Sequence, residues 1–202
     1  MEEVKGLSFK TLLLIWISFF SFIFLFPLNA SAGEKFKHTV GLGIFFGQKV
    51  PSYLPGPEYK RKDWNYIKFY PSYGWVLSDR WLAEIEGSLG MCRFKDKNGD
   101  KDNIYSLGAS LVVSYDFYKR KSFSLYLDAG AGAGYWSGTP DSDLVNNDAV
   151  IGLLKYGAGI KIPLKKNYKI KIAYRFTHSS GIFVSDAGCN THGVFLGIMR
   201  FF

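Results

Sequence analysis

Cysteines, long apolar runs and familiar catalytic motifs are all scarce in this sequence. Its two cysteines, Cys92 and Cys189, are compatible with an oxidising compartment but are too few for a disulfide scaffold. One long apolar run occurs, at residues 12–26, and no later segment resembles a transmembrane helix. The motifs G-x-S-x-G, H-E-x-x-H and the Walker loop are absent. We therefore expect a protein without a metal ion or a cofactor.

The N-terminal segment has the features of a cleavable signal peptide. Lys5 and Lys10 precede the apolar run, Pro27 ends it, and the small residues Ala30-Ser31-Ala32 follow. The alternative is an uncleaved transmembrane helix, but the run is shorter than the ~20 residues that span a bilayer. We predict a signal peptide at 1–32 and one mature domain at 33–202.

The charge of the chain is strongly positive, with 25 basic and 17 acidic residues and a net charge of +8. No nucleic-acid-binding motif accompanies this charge. A basic exported protein is suited to an anionic membrane surface, and lipopolysaccharide is such a surface. We therefore expect a membrane-embedded protein that contacts lipopolysaccharide and does not bind nucleic acid.

The mature chain shows a repeated alternation of apolar residues with small or polar ones. In residues 105–117 the odd positions carry apolar or aromatic side chains, and the even positions are mostly serine, glycine or aspartate. This period of two is typical of a barrel strand with one face toward lipid. The pattern predicts eight strands, at residues 38–48, 64–77, 80–92, 105–117, 123–135, 151–164, 168–178 and 190–202. The predicted fold is an all-β, eight-stranded antiparallel up-and-down transmembrane barrel.

The predicted connections alternate between long and short. Long segments are expected at 49–62, 93–103, 137–149 and 179–189, and short turns at 77–80, 118–121 and 165–167. Bacterial outer-membrane barrels place long loops outside the cell and short turns in the periplasm. The pattern therefore predicts the bacterial outer membrane and fixes the orientation of the strands.

One face of the predicted strands carries many charges. An eight-stranded barrel is too narrow for an open channel, so these residues are expected to form a packed, salt-bridged interior. The alternative is a soluble β-sandwich or lipocalin-like barrel; a lipocalin would place its apolar face inside. The predicted inward charged residues are Glu84, Glu86, Asp116, Asp128, Lys68, Lys155, Lys161, Lys169, Lys171 and Arg175.

A histidine and a serine lie at the outer end of the seventh predicted strand. By parity, His178 continues the lipid-facing row, and Ser180 shares that face if the strand extends so far. Polar groups at membrane depth are functional candidates, and a Ser–His pair can attack an ester. An interfacial histidine at the headgroup level is the alternative interpretation.

The same segment resembles a known family. Residues 174–181, Tyr-Arg-Phe-Thr-His-Ser-Ser-Gly, followed by Gly188-Cys189-Asn190, are similar to the C-terminal signature of the lipid A 3-O-deacylases. These PagL-type outer-membrane barrels are often labelled acyloxyacyl hydrolases. The motif covers about the last thirty residues, and the eight-strand plan covers the mature chain.

The resemblance implies a role for each matching residue. Ser180 would be the nucleophile and His178 the general base, while Asn190 takes the position of the family's carboxylate. Asp186 is a possible substitute acid. The family's asparagine after the serine is Gly181 here, so the backbone N–H groups of Gly181 and Ile182 are the expected oxyanion donors.

The expected function is that of an outer-membrane serine esterase that removes an ester-linked acyl chain from lipid A. The alternative is a non-catalytic small barrel with a structural, adhesion or surface-masking role. The acyl position cleaved, latency and homodimerisation stay open.

Overall fold

The computed structural model describes residues 37–49, 65–95, 101–137, 149–165, 167–181 and 189–202. The predicted signal peptide lies outside these residues, as do most of the predicted long loops. No helix in the described part of the chain is long and apolar enough to cross a membrane.

Eight antiparallel strands form a closed barrel in which each strand pairs with its neighbours in sequence, and β1 pairs with β8. This confirms the predicted fold class and strand number. The strands are β1 (His38–Lys49), β2 (Asn65–Val76), β3 (Trp81–Lys95), β4 (Lys101–Lys119), β5 (Ser124–Trp136), β6 (Ala149–Lys165), β7 (Tyr168–Gly181) and β8 (Cys189–Phe201).

Two predicted loops are shorter than expected because the strands beside them are longer. The strands extend into the loop predicted at 93–103, since Arg93 pairs with Asn103 and Lys95 with Lys101. The loop predicted from residue 179 begins only after Gly181, because Ser180 and Gly181 still pair with β6. The predicted strand that contains His178 therefore also contains Ser180.

Burial alternates along the strands in the sense expected for a membrane barrel. Leu111, Leu127 and Leu154 are each at least half exposed on the outer face. Between them, small and polar residues such as Ser110 and Ser114 are buried in the lumen. The outer face is apolar and the buried charged side chains point inward, which is opposite to a lipocalin-like barrel.

Ion pairs fill the part of the lumen nearer the end where β6 ends and β7 begins, as predicted. The Arg175 guanidinium lies 2.9 Å from a Glu86 oxygen and 2.6 Å from an Asp128 oxygen. The Lys171 ammonium lies 2.7 Å from Glu84. Each of these five groups is at most 5% exposed, so the lumen is a packed interior.

Aromatic and aliphatic side chains fill the lumen toward the other end, where β5 ends and β6 begins. This apolar cluster includes Phe45, Tyr66, Tyr70, Trp136 and Ile151. Lumen-facing glycines make room for it: a Cβ atom at Gly43 would collide with the ring of Phe195. The predicted crowding of the lumen explains these glycines.

Cys92 is buried on β3, and Cys189 is the first residue of β8. β1 and β2 lie between these strands in the barrel. With two strands between them, the two cysteines are not neighbours in the barrel, so we expect no disulfide to join them.

Candidate active site

The predicted site residues lie where β7 ends and β8 begins, at the end of the barrel with the long connections. We call this the outer end, as in bacterial barrels. His178 pairs directly with Asn190, and Phe176, two residues deeper, pairs with His192. On the other side of β7, Ser180 pairs with Gly152 of β6.

The two catalytic candidates lie on the lipid-facing side of β7. Thr177 is 4% exposed and Ser179 is 1% exposed, because both point into the lumen. Since strand side chains alternate, His178 and Ser180 point outward, and both are partly exposed. The lipid-facing row of β7 thus ends in a histidine and a serine.

A short hydrogen bond fixes the histidine ring. The His178 Nδ1 atom lies 2.7 Å from the Asn190 side-chain oxygen. An amide oxygen can only accept, so this contact requires the proton on Nδ1. In the neutral imidazole this contact leaves Nε2 as the nitrogen that can accept a proton, which is the tautomer that a general base uses.

Ser180 lies one alternation beyond His178, roughly 6–7 Å along the backbone. Within the described residues no hydrogen bond joins its hydroxyl to the His178 ring. Catalytic hydrogen bonds are often long before substrate binds and tighten only in the complex. The two side chains share the lipid-facing side of β7, and contact between them requires a change at the strand end.

Of the three remaining predicted site residues, the structure describes one. Gly181 is the last residue of β7 and pairs with Ile151. Ile182 and Asp186 lie outside the described residues. The proposed oxyanion donors and the substitute acid therefore stay predictions.

A second polar pair on the lipid face was not assigned from the sequence. The hydroxyl of Tyr174 forms a hydrogen bond with Nδ1 of His192. The His192 ring also stacks on Phe176, with centroids 5.6 Å apart. The alternation of β8 could have predicted the outward position of His192, because residues 190, 192 and 194 share one face. The pairing with Tyr174 depends on the β7–β8 register.

An apolar groove of about 720 Å³ begins at Phe176, two residues before His178 on β7. It crosses the outer face from β7 to β3, which is four strand spacings or about 19 Å. Small side chains on β5 and β6 form part of its floor. The lining includes Phe176, Tyr174, Tyr156, Ala158, Ala129 and Trp81. Most of the side chains that line this groove are apolar or aromatic.

The described residues contain no cluster of three or more His, Cys, Asp or Glu side chains that could hold a metal ion.

Comparison with solved structures finds the same fold in several outer-membrane barrels. One is the outer membrane enzyme PagL, which is 17% identical over 79% of this chain and 97% of that chain, with a TM-score of 0.51. A second is Ail, the attachment invasion locus protein of Yersinia pestis, in complex with the heparin analogue sucrose octasulfate (15% identity, 84% and 100% covered, TM-score 0.51). A third is Neisserial surface protein A (16% identity, 82% and 97% covered, TM-score 0.51). At these identities the likeness concerns the fold.

No curated protein matches the sequence. The family of outer membrane protein β-barrel domains matches residues 18–202, which is most of the chain. That match agrees with the closed barrel, its apolar outer face and its charged lumen. The chain belongs to the outer membrane β-barrel domain family, and its location is the bacterial outer membrane.

Proposed function

We propose that this protein is a serine esterase that removes an ester-linked acyl chain from lipid A in the outer leaflet. The observation that carries the proposal is the hydrogen bond between His178 and Asn190 on the lipid-facing side of the barrel. Ser180 is the next residue of the same row. An oriented histidine near a serine at this depth favours a catalytic role over a purely structural one.

The reaction begins when the Ser180 oxygen attacks the ester carbonyl of lipid A. Nε2 of His178 takes the hydroxyl proton, because an unassisted serine is a weak nucleophile. The backbone N–H groups of Gly181 and Ile182 stabilise the oxyanion. The intermediate collapses to an acyl-enzyme, and His178 returns the proton to the departing sugar oxygen. Water, activated by the same histidine, then releases the fatty acid.

Substrate reaches this site laterally from the membrane. Ester linkages of lipid A lie just below the headgroups, and the site occupies the outer end of β7 on the lipid-facing side. The apolar groove that begins at Phe176 and Tyr174 provides a place for an acyl chain. No internal pocket is required, in agreement with a lumen filled by ion pairs and aromatic rings.

Asn190 limits the catalytic power of this arrangement. Its amide oxygen orients the imidazole, but a neutral amide cannot stabilise imidazolium as a carboxylate does. A non-catalytic barrel with an adhesion or surface role is therefore the second candidate. It is favoured by this missing charge and by the similar fold of Ail, an attachment invasion locus protein.

Mass spectrometry of lipid A separates the two candidates. Cells that express this protein should contain lipid A lacking one ester-linked acyl chain, and cells without it should retain that chain. Identical lipid A in both strains, with the barrel present in the outer membrane, would favour the non-catalytic role.

A further inference from the structure

A second cavity, of about 360 Å³, opens at the opposite, periplasmic end of the barrel. It lies between the β2–β3 turn and the ends of β4, β6, β7 and β8. Its lining contains five basic side chains: Lys37, Arg80, Lys119, Lys161 and Lys169. Cations from separate elements thus converge on one opening.

The carboxylates of the cavity do not balance this charge. Asp79 and Asp116 are the acidic residues that line it, so five cations against two carboxylates leave a net charge of +3. The Asp116 carboxylate accepts a hydrogen bond from Lys161 at 2.6 Å and one from the Ser124 hydroxyl at 3.0 Å. Asp116 is therefore already paired at the floor of the cavity, with Lys161 and Ser124.

Two of the remaining cations are held in place by neutral groups. The Lys119 ammonium donates to the backbone carbonyl of Asp79 at 2.6 Å. The Lys169 ammonium lies 4.6 Å from the centre of the Phe201 ring. Arg80 is anchored through its carbonyl, which accepts from the Asp116 amide at 2.8 Å. Neutral groups thus hold the Lys119 and Lys169 side chains, and the Asp116 carboxylate also attracts Lys169; the lining as a whole keeps its net charge of +3.

An apolar wall adjoins the cations on the outer side. Leu77 and Trp81 line the same cavity and are 62% and 46% exposed. They lie at the periplasmic turn, level with the inner leaflet. A ligand that meets both walls has an anionic head and an apolar tail.

We propose that this cavity binds the phosphate group of an anionic phospholipid from the inner leaflet. Arg80, Lys119 and Lys169 contact the phosphate oxygens, since cationic donors are the usual partners of phosphate. Leu77 and Trp81 contact the first part of the acyl chains. The site is independent of the esterase activity proposed for the outer end.

Native mass spectrometry of the full-length protein in neutral detergent tests this site. The probes are phosphatidylglycerol, phosphatidylcholine and inorganic phosphate. We expect one phosphatidylglycerol to bind in preference to phosphatidylcholine, and millimolar phosphate not to displace it. Phosphate that binds while phosphatidylglycerol does not would overturn the lipid as the ligand. Binding of none of the probes would overturn the site.

Charge-matched variants separate this cavity from a diffuse basic surface. The double variant Lys119→Gln/Lys169→Gln should weaken phosphatidylglycerol binding about 25-fold, since each cation near anionic lipid contributes about fivefold. The control Lys121→Gln/Lys165→Gln removes two exposed cations outside the cavity and should change binding less than twofold. Equal losses in both variants would contradict a defined site. If the double variant does not fold, Arg80→Gln alone should still weaken binding about fivefold.

Discussion

At the scale of single residues, Asn190 is the group that orients the candidate general base His178. Its oxygen accepts a hydrogen bond from His178, so it selects the tautomer that a general base requires. It cannot offset the positive charge that His178 acquires when Ser180 attacks. Asn190 therefore orients the His178 ring but does not stabilise the positive charge of the imidazolium.

The variant Asn190→Asp should raise kcat/KM for lipopolysaccharide at least tenfold. The upper bound is about 10⁴-fold, which is the loss that the reverse change causes in a serine protease triad. Asn190→Leu, which is similar in size but cannot accept a hydrogen bond, should lower the rate. The measurement is the initial rate of fatty acid release from purified lipopolysaccharide. Equal rates in the two variants would contradict an orienting role.

At the level of the element, β7 combines two functions through the alternation of its side chains. Lys171 and Arg175 point inward and join the buried ion pairs, while His178 and Ser180 point outward. The strand is thus held rigidly by the lumen while it presents the candidate catalytic pair to lipid. A rigid strand positions such groups more accurately than a loop does.

The variant Arg175→Ala should destabilise the barrel by about 3–5 kcal/mol, because it leaves Glu86 and Asp128 buried without their main cation. The midpoint and slope of urea unfolding in detergent measure this change. Arg200→Ala removes an exposed arginine near the periplasmic end and should cost at most about 0.5 kcal/mol. A similar small effect of Arg175→Ala would show that the lumen is not held by these ion pairs.

The strands could be predicted from the sequence where contact with lipid imposes an alternation of apolar and polar residues. The strand ends beyond that alternation could not. Residues 105–117 alternate cleanly, and the predicted strand is found there. Arg93 and Lys95 continue β3 beyond the regular pattern, and their pairing with Asn103 and Lys101 could not be read from alternation. The contact of Tyr174 with His192 depends on the β7–β8 register, which no pattern within either strand specifies.

For the molecule as a whole, orientation decides whether the site meets lipid A. The long connection between β5 and β6 should face the medium, and the turn after β6 should face the periplasm. An epitope tag inserted within residues 140–147 should be labelled by antibody on intact cells. A tag at Lys165-Lys166 should be labelled only after the outer membrane is permeabilised. The opposite result would place His178 and Ser180 in the inner leaflet.

The central claim is that Ser180 attacks an ester of lipid A from the lipid face of the barrel. The most direct test compares Ser180→Ala with Ser179→Ala, because the two serines are adjacent and only Ser179 points into the lumen. Both variants should fold, as judged by heat-modifiable electrophoretic migration.

Fatty acid release from purified lipopolysaccharide, quantified by mass spectrometry, is the measurement. We predict a loss of at least about 10³-fold for Ser180→Ala, as expected for removal of a catalytic nucleophile. Ser179→Ala should retain at least half of the activity. Full activity in folded Ser180→Ala protein would contradict the account.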